Sequence, residues 1–328
     1  MKISVLGSGG WGIAISIAAK RNGHKVVLWS LFEKEVEDLL VRRESRKLLP
    51  GVKIPEDILI TNNLSDTDDS DIVIIAVPSN AVRETAKRIV EIKNVGIVVN
   101  LAKGLEAGSL KRLSQVISDE VSLPIVVLSG PSHAEEVARG IPTSLVSSSN
   151  KAGAAEAVIS ALSSESLRIY TNNDIVGVEL GGALKNIIAV AAGFCDGMGL
   201  GDNTKAALIT RGLTEIRRLG ISLGAKERTF SGLTGMGDLI VTCTSVHSRN
   251  HRFGELVGKS TDVETALKVV GTVEGYYATK QAFELALKMG VDMPIIEQCY
   301  NVLYKGTDVH DSVKELMLRP IKDETELM

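Results

Sequence analysis

A chain of 328 residues, 44% hydrophobic and 23% charged, has room for two ordinary globular domains and lacks the composition of a disordered or fibrous protein. A formal net charge of −3 excludes the broad cationic surface of a nucleic-acid binder, so any phosphate-bearing ligand must be met by a local cluster. Three cysteines, Cys195, Cys243 and Cys299, with no CxxC or CxxH spacing, exclude a disulfide framework and a structural zinc site.

The chain opens with one lysine and an apolar run that ends in glycines after a few residues, too short for a signal-peptide core. No run of about 20 apolar residues stands out, so no membrane-spanning helix and no membrane insertion are expected. A cytoplasmic location is the corresponding expectation. Short β-branched runs follow at 3–6, 26–29, 72–77, 97–101, 125–128 and 144–147. They are continuous rather than alternating, as strands buried on both faces should be. Between them, 81–92 and 110–121 carry apolar residues at helical spacing. This half reads as a Rossmann-like, doubly wound α/β sheet with parallel strands and crossover helices, over 1–172. From 173 to 328 helical periods replace strands, at 176–194, 204–223, 261–270, 275–289 and 295–304, and an all-α C-terminal domain is expected. The tail, 323–328, is short and polar and is expected to fray.

The first motif with chemical content is Gly7-Ser8-Gly9-Gly10-Trp11-Gly12, a GxGxxG between the first strand and the first helix. There Gly7 permits a tight turn, Gly9 lets backbone approach a pyrophosphate, and Gly12 lets helix pack closely on strand, while the helix N-terminus favours the anion. A carboxylate about 20 residues on, at the end of the second strand, would bind a ribose 2′-hydroxyl. That stretch reads Trp29-Ser30-Leu31-Phe32-Glu33, with no carboxylate at the strand end and Glu33 late. Ser30, Lys34, Arg42, Arg43 and Arg46 would suit a 2′-phosphate or form a solvated helix face, so the choice between NAD(H) and NADP(H) stays open.

The strand ends at 77–79, 100–104 and 128–133 all turn at the carboxyl edge of the sheet, where doubly wound folds bind ligands. Lys103 and the Gly130-Pro131-Ser132 turn would face one crevice there, although Lys103 alone reads as an ordinary loop lysine. Lys185 says more: it is the only charge between Glu179 and Asp196, and its helical neighbours Gly181, Gly182, Ile188 and Ala189 offer no carboxylate. It either snorkels to solvent or is a desolvated lysine that donates and accepts a proton in a cleft. Farther on, Ser248-Arg249-Asn250-His251-Arg252 is either a phosphate clamp or an exposed basic turn.

Six stretches, GSGGWGIAIS at 7–16, NLAKGLE at 100–106, SGPSHAEEVA at 129–138, ELGGALKNIIAVAAG at 179–193, LTGMGDLIVTCTSVHSRNHRFG at 233–254 and VEGYYATK at 273–280, resemble the NAD(P)-dependent sn-glycerol-3-phosphate dehydrogenases in order and along nearly the whole chain. The resemblance implies an enzyme that interconverts dihydroxyacetone phosphate and sn-glycerol 3-phosphate, with glycerol 3-phosphate going to phospholipid synthesis. It places the dinucleotide, NAD(H) or NADP(H), on Gly7, Ser8, Gly9, Gly10, Trp11 and Gly12, with Ala134, Arg249 and Glu274 as further contacts. Lys103 would touch cofactor and substrate, and Gly130 and Ser132 would line the substrate site. Lys185 falls on the general acid/base position. Asn186, Asp238, Thr242, Ser248, Arg249 and Asn250 fall on substrate-binding positions.

Two departures stand out: Leu31 and Phe32 where NADPH-using members often carry a basic residue, and His133 in place of a common phenylalanine. The implied reaction is hydride transfer to the ketone carbon with protonation of the developing alkoxide by Lys185. Both lysines would stabilise that oxyanion, and the second cation would lower the pKa of Lys185. No metal is required, and the partner is a small phosphorylated molecule; a homodimer fits the resemblance but is not specified by the residues. The rivals are a related two-domain dehydrogenase for another small hydroxy substrate, against which the Ser-Arg-Asn cluster speaks, and a cofactor-binding sensor without turnover, against which Lys103, Lys185 and Asp238 speak.

Overall fold

The computed structural model describes residues 1–320 and residue 323. The chain forms two units, one of Met1–Lys103 and Lys111–Ile175, the other of Gly104–Leu110 and the residues from Val176 on. The expected fraying of the tail lies outside the described residues, Asp323 apart.

The first unit runs β1 (Lys2–Leu6), α1 (Gly10–Arg21), β2 (Lys25–Trp29), α2 (Glu33–Arg42), β3 (Leu59–Thr61), β4 (Ile72–Ile75), α3 (Val82–Ile89), β5 (Ile97–Asn100), α4 (Leu113–Glu120), β6 (Ile125–Ser129), α5 (Ala134–Arg139), β7 (Thr143–Ser149), α6 (Ala154–Leu162) and β8 (Leu167–Thr171). The strands form one sheet in the order β3-β2-β1-β4-β5-β6-β7-β8. Side chains of one strand serve opposite faces: Ile72 and Ile74 join a core with Ile13 and Ile17 of α1, whereas Val73 and Ile75 join one with Val82 of α3 and Val116 of α4. That two-sided demand is why the strands read as continuous apolar runs. The strand order reverses between β1 and β4, where Leu6 lies beside Ile75. Doubly wound sheets bind ligands at the carboxyl ends of such a pair.

The expected parallel sheet needs one correction. β7 runs antiparallel to β6, while the other six neighbouring pairs are parallel. The six residues of α5 rise only about 9 Å, too little to return the chain along a strand about 16 Å long, so it comes back in the opposite sense. Two edge strands, β3 and β8, also lie outside the sequence reading. β8 escapes it because Leu167 and Ile169 face inward while Arg168 and Tyr170 face out, an alternation unlike the two-sided strands.

The second unit holds α7 (Ile175–Gly197), α8 (Asp202–Ser222), α9 (Asp238–Thr244), α10 (Arg249–Gly258), α11 (Val263–Val270), α12 (Glu274–Met289), α13 (Pro294–Lys305) and α14 (Val309–Met317). Its axis is α7, whose Leu184, Ile187, Ile188 and Val190 are fully buried among the other helices. A Cβ on Gly193 would lie 2.1 Å from the carbonyl oxygen of His251, so glycine is what allows α10 to rest directly on α7. Leu105 and Leu110 pack into this core too, which ties residues 104–110 to the helices. The expectation that nothing in the chain is long and apolar enough to span a membrane is overturned by α7. This 23-residue helix meets that test by length and composition. Burial accounts for it: 94% of its most apolar 18-residue window lies buried inside the protein.

Candidate active site

The glycine-rich turn is built by contacts that exclude side chains at two positions and leave a third open. Gly7 adopts φ +118°, and a Cβ there would lie 2.6 Å from the carbonyl oxygen of Ala76. On Gly12 a Cβ would lie 1.9 Å from the carbonyl oxygen of Gly7. Nothing stands within 4 Å of a Cβ built on Gly9. Gly9 caps α1 without a side-chain hydrogen bond, and no acidic residue occupies the first turn. The open face, the positive end of the helix and the absence of competing carboxylates in that turn fit a dinucleotide pyrophosphate. Gly10 lies under the carbonyl of Leu48 and beside Ala134, the first residue of α5, and Trp11 packs against the sheet core.

A carboxylate does stand at the end of β2, which corrects the sequence reading. It comes from Glu35 in the first turn of α2, five residues beyond the place where it was sought. Its Oε2 accepts hydrogen bonds from Ser8 Oγ at 2.7 Å and Ser30 Oγ at 2.6 Å, and both serines are buried. The signal was present as two serines at the ends of adjacent strands and a glutamate one helical turn on, but only the fold joins them. Of the basic residues nearby, Arg43 is spent on the carbonyls of Pro55 and Ile58, and Arg42 pairs with Asp38. Leu31 and Phe32 are exposed.

At the carboxyl edge of β5 and β6, Lys103, Gly130 and Ser132 come together. Lys103 Nζ and Ser132 Oγ both donate to the carbonyl oxygen of Gly130, each at 2.9 Å. Gly130 holds φ +135°, and a Cβ there would press 3.2 Å from the Ser144 carbonyl oxygen. The turn therefore presents an ammonium and a hydroxyl side by side.

In the helical unit, Lys185 is 6% exposed and Asp238 is 1% exposed. The ammonium donates to Asp238 Oδ1 and, at 2.6 Å, to Thr242 Oγ1. Thr242 in turn donates to the backbone carbonyl of Asp238 at 2.6 Å, which fixes the hydroxyl with its lone pairs toward the lysine. The reading of Lys185 as a charge without a carboxylate is thus overturned: Asp238 supplies it from α9, 53 residues on. A single π-turn, Leu233–Gly237, delivers Asp238 to this position. It fits because Gly181 of α7 lets the Thr234 carbonyl approach, a Cβ there lying 2.5 Å away. Cys243 lies beside the pair, fully buried, and burial pushes its thiol up to about 12.

The Ser-Arg-Asn cluster separates into distinct tasks. Ser248 caps α10 by accepting from the His251 N–H. Asn250 donates to Asn186 Oδ1 at 2.9 Å and accepts from the Gly275 N–H at 2.8 Å, joining α7, α10 and the start of α12, where Glu274 is the first residue. Arg249 is exposed and makes no ion pair among the described residues. Sequence reasoning also missed a charge cluster in this unit. Lys205 and His251 both bond to Asp196, at 2.7 Å, and hold its carboxyl below the usual range against the burial that would raise it.

Residues 2–155 match the family model described as NAD-dependent glycerol-3-phosphate dehydrogenase N-terminus, and residues 174–314 match that of its C-terminus. A glycerol-3-phosphate dehydrogenase (NAD(P)+) of a Thermoanaerobacter species is 51% identical over 327 residues, covering 99% of each chain. That of Fusobacterium nucleatum is 48% identical over 328 residues, covering 98% of each. The crystal structure of glycerol-3-phosphate dehydrogenase from Coxiella burnetii superposes with a TM-score of 0.93 at 38% identity, over 97% of this chain and 99% of that one.

Proposed function

We propose, since the chain belongs to the NAD-dependent glycerol-3-phosphate dehydrogenase family, that it interconverts dihydroxyacetone phosphate and sn-glycerol 3-phosphate with Lys185 as the proton-transferring residue. The chain is a nicotinamide-dependent oxidoreductase with a Rossmann-like sheet and a helical second unit. The nicotinamide cofactor, when bound, supplies or accepts the hydride at the substrate's second carbon.

The observation that carries this reading is the buried Lys185–Asp238–Thr242 cluster. In the reducing direction the Lys185 ammonium gives a proton to the carbonyl oxygen as negative charge develops there. In the oxidising direction the neutral amine takes the proton from the hydroxyl. Asp238 balances the ammonium and Thr242 fixes where Nζ points, so proton transfer starts from a set geometry. A positive charge in a dry site also favours the developing oxyanion more than it would in water.

The remaining residues take supporting roles in the same reading. Lys103 and Arg249 contact both cofactor and substrate, and Gly130 and Ser132 line the substrate site. Arg249 grips the substrate phosphate, its fork matching the phosphate oxygens. Asn186, Asn250, Thr242 and Asp238 shape the substrate subsite, and Ser248 holds the helix end that carries Arg249. The glycine-rich turn with Ala134 and Glu274 holds the dinucleotide. The product would feed phospholipid synthesis, and a cytoplasmic, homodimeric enzyme belongs to this reading. The three cysteines are all free and buried, as suits a reducing compartment.

The test is substrate choice. Dihydroxyacetone phosphate should be reduced efficiently and unphosphorylated dihydroxyacetone poorly, measured as loss of reduced-nicotinamide absorbance. Equal efficiency with the two ketones would sink the assignment.

A further inference from the structure

Glu35 comes from α2 to the end of β2, although nothing in the local sequence pattern of β2 marks it. Both of its hydrogen-bond donors come from the elements that form a dinucleotide site: Ser8 from inside the glycine-rich turn and Ser30 from the residue after β2. Both hydroxyls are buried, and both act on the same oxygen, Oε2. The other oxygen, Oε1, makes no hydrogen bond among the described residues. Glu35 itself is only half-buried and lines a pocket of about 370 Å³ with Asp38, Leu39, Arg42 and Arg46. The carboxylate is therefore clamped at one oxygen and available at the other, beside the turn that approaches the pyrophosphate.

We propose that Glu35 is the residue that reads the adenosine ribose, accepting its 2′-hydroxyl through Oε1 and rejecting a 2′-phosphate, so that the chain prefers NADH to NADPH. A carboxylate accepts hydrogen bonds only, which suits a hydroxyl donor. A 2′-phosphate placed there would set two anionic groups against each other. Ser8 and Ser30 act as positioning residues: they hold Oε2 and so turn Oε1 toward the ligand. The basic side chains Arg42, Arg46 and Lys47 in the same pocket define the competing arrangement, in which a 2′-phosphate would be welcomed.

The inference rests on dinucleotide binding at the glycine-rich turn, and its test separates the two. Calorimetric titration of the full chain with ADP-ribose and with 2′-phospho-ADP-ribose reads the adenosine half without turnover. The wild-type chain should bind ADP-ribose at least tenfold more tightly. Glu35→Gln should shrink that ratio at least tenfold, chiefly by admitting the 2′-phosphate. A wild-type preference for 2′-phospho-ADP-ribose overturns the proposal, as does an unchanged ratio in Glu35→Gln. Equal weakening of both ligands, with the far-ultraviolet circular dichroism intact, overturns it too, because it assigns Glu35 to loop structure alone. Should Glu35→Gln fail to fold, Ser30→Ala decides: a narrowed ratio supports the proposal and an unchanged one overturns it. A wild-type chain that binds neither ligand would instead remove the dinucleotide site.

Discussion

Lys185 and Asp238 form an ion pair inside the helical unit, joining α7 to the start of α9. The pair determines what a substitution at either member does, because removing one charge leaves the other buried and uncompensated. Lys185→Met should lower turnover by about a hundredfold to ten-thousandfold, the range for losing a general acid or base. It should also lower stability by about 3–5 kcal/mol, since Asp238 is left at 1% exposure without its partner. Asp238→Asn should destabilise in the same way. The double variant Lys185→Met with Asp238→Leu should recover much of the lost stability and none of the activity. Thermal melting and steady-state kinetics on the three variants check this. Unchanged stability in both single variants would show that the pair is not compensating a buried charge.

Arg249 should behave in the opposite manner. It is exposed and pairs with no described carboxylate, so Arg249→Ala should leave the melting temperature within about a degree. The Michaelis constant for dihydroxyacetone phosphate should rise about tenfold to a hundredfold, as expected when a charge-assisted hydrogen bond worth about 1.5–3 kcal/mol is lost. Kinetics with the phosphorylated and unphosphorylated ketones measures it, and the former should lose far more than the latter.

The glycines of the first turn should separate fold from binding. Gly12→Ala places a Cβ 1.9 Å from the Gly7 carbonyl oxygen, and something must shift. Melting temperature and dinucleotide affinity should fall together. Gly9→Ala meets no protein atom within 4 Å, so it should melt normally while binding dinucleotide at least tenfold less tightly, because the added methyl blocks the approach of the pyrophosphate. A Gly9→Ala variant with native affinity would show that the pyrophosphate does not come this close.

Glu215 gives the helical unit a pH response. Its carboxylate oxygens accept the backbone N–H groups of Ile295 and Ile296 at the start of α13, yet burial outweighs them and pushes the carboxyl from 4.5 up to about 8. Between those limits the folded chain holds a proton that the unfolded chain has released. Stability is therefore greatest at the acid end of this window and falls as pH rises, by at most about 1.4 kcal/mol per pH unit from this group. Glu215→Gln carries no such proton, so its melting temperature should vary less between pH 6 and pH 8 than that of the wild type. Parallel curves for the two proteins would show that Glu215 does not titrate in this range.

What could be read from the sequence was whatever depends on neighbours along the chain. The glycine-rich turn, the β4 run from Ile72 to Ile75 and the long periodicity of α7 announce themselves because each needs a pattern within one element. Lys185 stood out by the same rule, as the only charge between Glu179 and Asp196 on an otherwise apolar helix. Its countercharge did not, since helical spacing only reports residues three and four positions away and Asp238 arrives through a π-turn. Glu35 was hidden for a related reason: the ribose-reading carboxylate is sought at the end of a strand, and here it comes from the following helix, held by serines 22 residues apart in sequence. The sense of β7 followed from the shortness of α5, a length that no propensity in 130–142 fixes.

The stretch 104–110 makes the division of labour in this chain unequal in time. Leu105 and Leu110 leave the ribosome with the sheet around them, but the surfaces that cover them start with α7, some 70 residues later. Until then two leucines have no home, whereas β1 to β5 already have most of their neighbours. The same loop defeats any attempt to split the gene at one point, for a fragment ending before α7 keeps a plug whose socket has been discarded, and a fragment starting there keeps the socket without the plug.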